Sequence, residues 1–213
     1  MAIKKYLTEF IGTFFLVLSI GMSLGAGTDL APFAMGFTLA AMMYMGYHIS
    51  GAHFNPAFTL AVWIRGGISP QDGGLYWLSQ ILGGFAGGAL AGLLVRADNF
   101  VFELKPAAGD ILVEAFLVEC LFTFALALLF LHATTSNHTQ GNSFYGMAMG
   151  TGLIAAVLAG QTISGAVFNP AVGLGPNIIV ASFSYLWLYA VAPLVGGALA
   201  GLVFRFQVAK GKP

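Results

Sequence analysis

The sequence predicts an all-α membrane protein with six transmembrane helices and two re-entrant half-helices, arranged as an inverted repeat. Three observations support this fold class. Of the 213 residues, 58% are hydrophobic and only 8% are charged, whereas soluble domains carry about 25% charged residues. Apolar segments of about 20 residues, the length needed to cross a bilayer, recur along the whole chain. One ten-residue pattern also occurs twice, at 48–57 and at 162–171.

Six apolar segments are long enough to span a membrane. The predicted spans are Leu7–Leu24, Pro32–His48, Leu75–Val95, Ile111–His132, Phe144–Gln161 and Tyr185–Phe206. Two shorter apolar pieces, near Pro56–Arg65 and Pro170–Ala181, cannot cross a bilayer. We expect these two pieces to be half-helices that enter the membrane without crossing it.

The spans belong to one membrane domain made of two similar halves, about 1–109 and 110–213. Residues 9–14 resemble 119–124, residues 35–46 resemble 149–160, and 87–93 match 196–202. Each half contains three spans, and an odd number forces the second half to insert upside down relative to the first. Inverted repeats place their sites near the midplane, where discontinuous helices meet.

The ten-residue pattern contains an Asn-Pro-Ala motif in each half. The two copies are Asn55, Pro56 and Ala57, and Asn169, Pro170 and Ala171. Asn is favoured as a helix N-cap and Pro at the first helical position. Each half-helix should therefore begin at its Asn-Pro pair, after non-helical backbone. Such backbone is tolerated at membrane depth only when it is buried in protein or lines a watery cavity, so the pattern indicates a pore.

The centre of this pore should favour neutral molecules. Two half-helices that meet at their N-termini each bring about half a positive charge to the membrane midplane. The amides of Asn55 and Asn169 would donate to the oxygen of a water, which interrupts the chain of hydrogen-bonded waters, and the positive potential opposes cations and protons. Carbonyls of the non-helical segments would accept hydrogen bonds from water or solute. They belong to Gly51, Ala52, His53, Gly165, Ala166 and Val167.

These motifs resemble the aquaporin and aquaglyceroporin (major intrinsic protein) family. The similarity covers nearly the whole chain and includes residues 8–14, residues 48–57, both Asn-Pro-Ala motifs, Gly175-Pro176 and Pro193. The resemblance implies a passive channel without a cofactor, assembled as a homotetramer with one pore per subunit. It also implies that Glu9 and Glu119 support the non-helical segments, although an intramembrane carboxylate could instead relay protons. His48 resembles a pore-facing histidine at the cytoplasmic mouth.

A second constriction of the family corresponds here to Met35, Val157, Ala166 and Val172. Water-selective members commonly have an aromatic residue, a His, a small residue and an Arg at these positions, so the His and the Arg are absent. An apolar ring lowers the cost of desolvating weakly polar solutes. We therefore predict a channel for water, glycerol, urea, ammonia, hydrogen peroxide or neutral metalloids such as arsenite. A strictly water-selective channel and a secondary transporter with the same repeat are the alternatives.

Other classes of function find less support in the sequence. A net charge of zero without a basic run argues against a nucleic-acid partner. Ser50 and His48 could form a hydrolytic pair, but no flanking base is evident, so no catalytic residue is predicted. The four histidines and Cys120 show no metal-ligand spacing, so we predict neither a metal nor a cofactor. Water, small neutral solutes and the lipid bilayer are the expected partners.

Loop charges predict the orientation in a cell membrane. With both termini in the cytoplasm, the inner side holds six cationic residues and the outer side holds Arg96 and Lys105, as the positive-inside rule requires. The six are Lys4, Lys5, Arg65, Arg205, Lys210 and Lys212.

Overall fold

The computed structural model describes residues 2–95, 102–107 and 111–208. Within these ranges the chain forms eight α-helices: α1 (Ala2–Gly25), α2 (Ala31–Ser50), α3 (Pro56–Ile64), α4 (Pro70–Leu94), α5 (Leu112–Thr135), α6 (Tyr145–Ser164), α7 (Pro170–Ile179) and α8 (Leu186–Val208). A 3-10 helix covers Asn137–Thr139. The six predicted spans and two half-helices are therefore confirmed in number and order.

The predicted starts of the two half-helices, Pro56 and Pro170, coincide with the observed ones. The other predicted bounds differ by one to five residues, and the helices mostly run further. The start of α4 shows the reason. Its N-cap Ser69 accepts a hydrogen bond from the Asp72 backbone N–H at 3.1 Å, and Pro70 occupies the first turn. Polar capping residues thus extend the helix beyond the apolar segment from which the span was predicted.

Five of the described helices are long and apolar enough to cross a membrane: α1, α4, α5, α6 and α8. Helix α2 is as long as α6, at 20 residues each, but it is not one of the five. Tyr44, Tyr47 and His48 near its C-terminal end lower its mean hydropathy.

Helix packing has a two-fold pattern. Helix α1 packs against α2 and α4, α5 packs against α6 and α8, and α2 contacts α6. Each half-helix packs on the third span of the opposite half, α3 on α8 and α7 on α4. Exchanging the first four helices for the last four leaves this pattern unchanged, as an inverted repeat requires. The predicted boundary between Gly109 and Asp110 lies outside the described residues.

Glycines allow each half-helix to approach the opposite half closely. A Cβ atom added to Gly84 of α4 would lie 2.4 Å from the carbonyl oxygen of Ala171, and one added to Gly197 of α8 would lie 2.3 Å from that of Ala57. Neither position has space for a side chain. The first turn of each half-helix is therefore fixed against a long helix of the other repeat.

These contacts correct the predicted register of the third span. The sequence match paired Gly87-Gly88 with Gly196-Gly197, but the contacts make Gly84 equivalent to Gly197. The tyrosines agree with this register, since Tyr76 donates to the carbonyl of Ser50 and Tyr189 donates to that of Ser164. The predicted pairing was wrong by one helical turn.

The described cationic side chains lie at two ends of the helix bundle. Lys5 and Arg65 line one cavity, and we name this side the Lys5 end. Helix α6 begins near it, where Tyr145 packs on Tyr47, and ends about 30 Å away by its length. There its C-cap Gly165 lies beside the backbone of Lys105, and we name this side the Lys105 end. The predicted inner residues Lys210 and Lys212 and the predicted outer residue Arg96 lie outside the described residues.

Candidate functional site

The two Asn-Pro-Ala motifs meet at the centre of the molecule. Asn55 and Asn169 are the N-caps of α3 and α7, and each side-chain oxygen accepts the backbone N–H two residues later, from Ala57 at 2.8 Å and Ala171 at 2.9 Å. Asn55 Nδ2 also donates to the Phe168 carbonyl at 2.9 Å. The half-helices therefore meet at their N-termini.

The cross-links are reciprocal, because Asn169 Nδ2 donates to the Phe54 carbonyl at 2.8 Å. A primary amide has two N–H donors. Each asparagine thus uses one hydrogen to join the halves and retains the other. Both asparagines line the central cavity, so two amide donors are available to a molecule within it.

The segments before the asparagines share an unusual backbone. Gly51 and Gly165 have φ of 85°, and two non-glycine residues in each copy are also left-handed. These are Ala52 (52°), Phe54 (49°), Ala166 (54°) and Phe168 (52°). A non-glycine residue in this region costs about 1–3 kcal/mol and persists only when its surroundings hold it.

Two buried carboxylates hold these segments. Glu9 accepts hydrogen bonds from Ser50 Oγ (2.7 Å), His53 N (3.0 Å) and Phe54 N (2.7 Å). In the other half, Glu119 accepts from the equivalent atoms of Ser164 (2.7 Å), Val167 (2.9 Å) and Phe168 (2.6 Å). Both side chains are fully buried. Their oxygens therefore satisfy the backbone N–H groups that the left-handed residues turn away from any helix.

The first half carries a further polar network that the second half lacks. Gln80 Nε2 donates to Glu9 at 2.8 Å and to Thr59 Oγ1 at 3.0 Å. Thr59 Oγ1 donates to the Asn55 carbonyl and lies 3.0 Å from His53 Nδ1. Because the hydroxyl has a single hydrogen, His53 Nδ1 is the donor in this arrangement. His53 Nε2 is then a hydrogen-bond acceptor.

A narrow cavity runs past the asparagines. The volume open to the centres of water molecules is about 30 Å³, and one enclosed water needs about 10–15 Å³. The four residues predicted to form the filter line this cavity: Met35, Val157, Ala166 and Val172. All four are buried. Apart from His53, Asn55 and Asn169, the remaining lining residues are apolar: Leu16, Ile20, Leu39, Phe54, Phe58, Leu126, Leu153, Val167 and Phe168.

A wider cavity of about 590 Å³ opens at the Lys5 end. His53 lines both this cavity and the narrow one, so its imidazole stands where the passage narrows. The ring packs edge-on against Tyr76 and Phe130, at centroid distances of 5.1 and 5.4 Å. Ser50, the last residue of α2, and Gly51 of the first non-helical segment also line the wider cavity.

Comparison with known proteins places this architecture in a family. A sequence model of the family described as "Major intrinsic protein" matches residues 1–204. Aquaporin TIP1-1 of Arabidopsis thaliana is 34% identical over 224 residues, covering 96% of this chain and 86% of the relative. Glycerol uptake facilitator protein-like 6 of Lactiplantibacillus plantarum is 34% identical over 214 residues, covering 95% and 97%. The chain belongs to the major intrinsic protein family.

The fold of this major intrinsic protein also matches a solved structure. The X-ray structure of the aquaglyceroporin from Plasmodium falciparum superposes with a TM-score of 0.83 over 99% of this chain and 98% of the other, at 23% sequence identity. The architecture described above is therefore the aquaporin fold.

His48, which was predicted to lie at the pore mouth, does not line either cavity. It is exposed in the last turn of α2. His53, which the sequence analysis named only for its carbonyl, contributes the imidazole at the mouth instead. Thr59, Gln80, Tyr76 and Tyr189 were not predicted. The one-turn error in the third-span register had obscured the equivalence of Tyr76 and Tyr189.

The carbonyl oxygens of Gly51, Ala52 and His53 accept no hydrogen bond from any residue that the structure describes. Phe54 and Phe168 differ, because their carbonyls accept the asparagine amides. The asparagine amides therefore occupy the carbonyls of these two phenylalanines, and the role of the preceding carbonyls as pore contacts stays a prediction.

Residues 103–105 are fastened to the second half at the Lys105 end. Asn177 of α7 accepts from the Leu104 N–H and donates to the Leu104 carbonyl, both at 2.7 Å. Next to it, Glu103 accepts from Lys105 Nζ at 2.8 Å and from Ser182 Oγ at 2.6 Å. These two hydrogen bonds hold the pKa of Glu103 below its usual value. The segment is thus fixed to α7 and to Ser182, which follows α7.

Proposed function

We propose that this protein is a passive channel for water and small uncharged solutes, such as glycerol, urea, ammonia, hydrogen peroxide or arsenite. One observation carries the proposal: both asparagines retain an amide N–H beside a narrow cavity whose remaining walls are largely apolar. A water oxygen accepts two hydrogen bonds, so it matches the two donors. The names of the aquaporin and glycerol facilitator relatives agree with this substrate class.

The same centre disfavours ions. The N-termini of α3 and α7 each carry about half a positive charge, and no carboxylate lines the narrow cavity in the part of the chain that the structure describes. A cation would lose its hydration shell there without gaining an anionic partner. Neutral molecules need only replace one or two hydrogen bonds.

Solute choice depends on the apolar ring of Met35, Val157, Ala166 and Val172. Without an Arg, the ring offers no charged donor. Weakly polar solutes therefore cross it at a lower desolvation cost than they would a charged ring. This favours a channel open to several neutral solutes over a strictly water-selective one.

The alternatives of transport and catalysis have weaker support. Secondary transport would need a titratable carboxylate at the centre, but Glu9 and Glu119 are engaged by backbone and side-chain donors and do not line the cavity. A Ser50–His48 hydrolytic pair is disfavoured because Ser50 Oγ donates to Glu9 while His48 is exposed. We therefore assign no enzyme activity.

We further propose a homotetramer in a cell membrane with both termini in the cytoplasm. The Lys5 end would face the cytoplasm, because it carries Lys5, Arg65 and Arg205 and positive charge favours that side. Exposed apolar side chains along α1 and α2, such as Phe15, Phe37 and Leu7, give a surface suited to lipid or to a neighbouring subunit.

Stopped-flow light scattering of proteoliposomes tests the channel. We expect water, glycerol and urea permeabilities above those of protein-free liposomes, unchanged when a proton or sodium gradient is imposed. Sucrose, which is too large for the cavity, should remain excluded and serves as the control solute. Permeabilities equal to those of protein-free liposomes, or uptake that follows an ion gradient, would contradict the proposal.

A further inference from the structure

A third pocket lies at the Lys5 end, beside the wider cavity, and shares Arg65 and Thr135 with it. It has a volume of about 260 Å³ and lies between the C-terminal ends of α3, α5 and α8. Its lining includes Arg65, Arg205, Asn137, His138, Phe204 and Val208. Two guanidinium groups thus border one concave space outside the central passage.

The two arginines are held at the same corner. Arg65 Nη1 donates to the Thr135 carbonyl at 3.1 Å, and its Cζ lies 5.5 Å from the centre of the Phe204 ring. Arg205 Nη1 lies 3.4 Å from the carbonyl oxygen of Ile64, the neighbour of Arg65. A guanidinium has five N–H donors, so most donors of both groups remain available.

No described acidic side chain neutralises this pair. The ion pairs among the described residues are Lys5–Asp72 and Lys105–Glu103, and Glu9 and Glu119 are occupied in the core. The other two described acids, Asp29 and Glu114, lie at the starts of α2 and α5, whose opposite ends border the Lys5 end. Among the described residues, the two arginines of this pocket therefore contact helix carbonyls but no carboxylate.

The surroundings of the pocket favour a lipid as the source of an anion. Along α8, next to Arg205, Leu202, Phe206 and Val208 are exposed at 55%, 83% and 41%. Val208 also lines the pocket itself. A phosphate in the pocket would thus sit directly above an apolar helix face on which acyl chains can pack.

We propose that this pocket binds the phosphate of an anionic membrane lipid, with Arg65 and Arg205 as its two cationic contacts. Guanidinium groups bind phosphate oxygens in bidentate geometry, and basic pockets between transmembrane helices suit lipid headgroups. Asn137 and His138 at the rim add donors. The lipid would join α3 to α8 at the border of the wider cavity.

Native mass spectrometry of the purified protein with dioleoylphosphatidylglycerol tests the proposal, with dioleoylphosphatidylcholine as the zwitterionic comparison. Arg205→Gln should raise the apparent Kd for phosphatidylglycerol at least about tenfold, and Arg65→Lys should raise it less, since it keeps the charge but loses the bidentate fork. Because Arg205 is exposed, its variant should keep the melting temperature of the wild type.

The matched control is Lys105→Gln, which removes one positive charge at the opposite end and should leave the affinity unchanged. Equal weakening by Lys105→Gln and Arg205→Gln, or no change in Arg205→Gln, would overturn the site. Displacement of the lipid by inorganic phosphate at similar concentration would overturn the lipid assignment in favour of free phosphate. None of these readouts depends on flux through the central cavity.

Discussion

Each central asparagine divides its side chain among three contacts. Its oxygen caps its own half-helix, one amide hydrogen binds the opposite half, and the other hydrogen remains for the cavity. An aspartate would lose the donors, and a serine is too short for all three contacts. The residue type is thus required by geometry as well as by capping preference.

At Val172 we predict a change in solute selectivity. Val172→Arg places a charged, long side chain in the narrow cavity, which removes space and adds an electrostatic field. Glycerol and urea permeabilities should fall at least about tenfold more than water permeability, which corresponds to about 1.4 kcal/mol of barrier. Stopped-flow measurements on proteoliposomes compare the two.

Val172→Met is the control for size alone, because it lengthens the side chain without charge. It should lower glycerol and urea flux less than Val172→Arg does. Identical selectivity in wild type and Val172→Arg would show that the filter is formed by other residues.

At Thr59 we predict a loss of order at the mouth of the passage. Thr59→Val keeps the shape but removes the oxygen that binds His53 Nδ1 and Gln80 Nε2. Leaving such buried donors unpaired should lower the free energy of unfolding by about 1–3 kcal/mol. Water permeability should also fall, because the unanchored imidazole can turn into the narrow cavity.

Thermal unfolding in detergent and light scattering report these two effects. The matched control is Thr38→Val, which removes only a contact to Ser19 Oγ between α1 and α2. If both variants behaved alike in flux, His53 would not depend on Thr59.

The histidines show where residue-scale prediction stops. His48 and His53 flank the same helix break, and sequence spacing cannot tell which of two such imidazoles points inward. The answer depends on the left-handed turns at 51–54, which rotate His53 toward Thr59. The ungapped match to the family fixes the positions of the four predicted filter residues relative to the asparagines. All four line the narrow cavity, and their role as a filter stays a prediction.

Among the elements, the non-helical segments depend on the buried carboxylates. We predict that Glu119→Gln destabilises the protein by about 1–3 kcal/mol or more, since one oxygen becomes an NH₂ group that faces a backbone N–H of Val167 or Phe168. Flux should fall together with the melting temperature, because the strained residues lose their support.

Glu114→Gln is the matched control on the same helix. Glu114 is exposed in the first turn of α5, so the change should leave both the melting temperature and the flux near wild type. A stable, fully active Glu119→Gln protein would mean that the segment holds its conformation without the carboxylate.

We also predict the effect of adding a side chain where α4 packs on α7 and where α8 packs on α3. Gly84→Ala and Gly197→Ala each force a methyl group against a carbonyl of the opposite half-helix. Overpacking of this kind costs about 1–3 kcal/mol, and displacement of the half-helix should reduce water permeability. Differential scanning fluorimetry and stopped-flow scattering measure the two effects.

Gly92→Ala tests whether the effect is specific to the crossing. A Cβ there meets nothing within 4 Å, and alanine favours helices over glycine by about 1 kcal/mol. This variant should match or exceed wild-type stability. If Gly84→Ala, Gly197→Ala and Gly92→Ala lowered the stability and the water permeability equally, the effect would come from reduced helix flexibility and not from the close contact.

At the scale of the elements, the sequence predicted which helices form but not how the third spans of the two halves align with each other. Span number, half-helices and their starting residues followed from apolar length and from Asn-Pro. The third-span register did not, because small residues recur every four positions in both copies, so a shift by one turn still matches Gly to Gly. Only contacts such as Gly84 with Ala171 resolve it.

For the whole molecule, we predict four copies in one assembly. Multi-angle light scattering of the detergent-solubilised protein should give a protein mass four times the 22.3-kDa chain. The number four is what the resemblance to the family implies, and exposed apolar faces such as the groove beside Phe15 and Phe37 would gain packing contacts between subunits. A monomeric or dimeric protein mass would contradict the prediction.

The two halves of the chain are interlocked, which has a consequence for biogenesis. The first half is synthesised before the second. Until α7 is in place, the Phe54 carbonyl lacks the Asn169 amide and Gly84 of α4 lacks its contact with Ala171. Helix α3 likewise lacks its packing partner until α8 has been synthesised. We therefore expect the central cavity to be complete only after α8 has been inserted, late in synthesis.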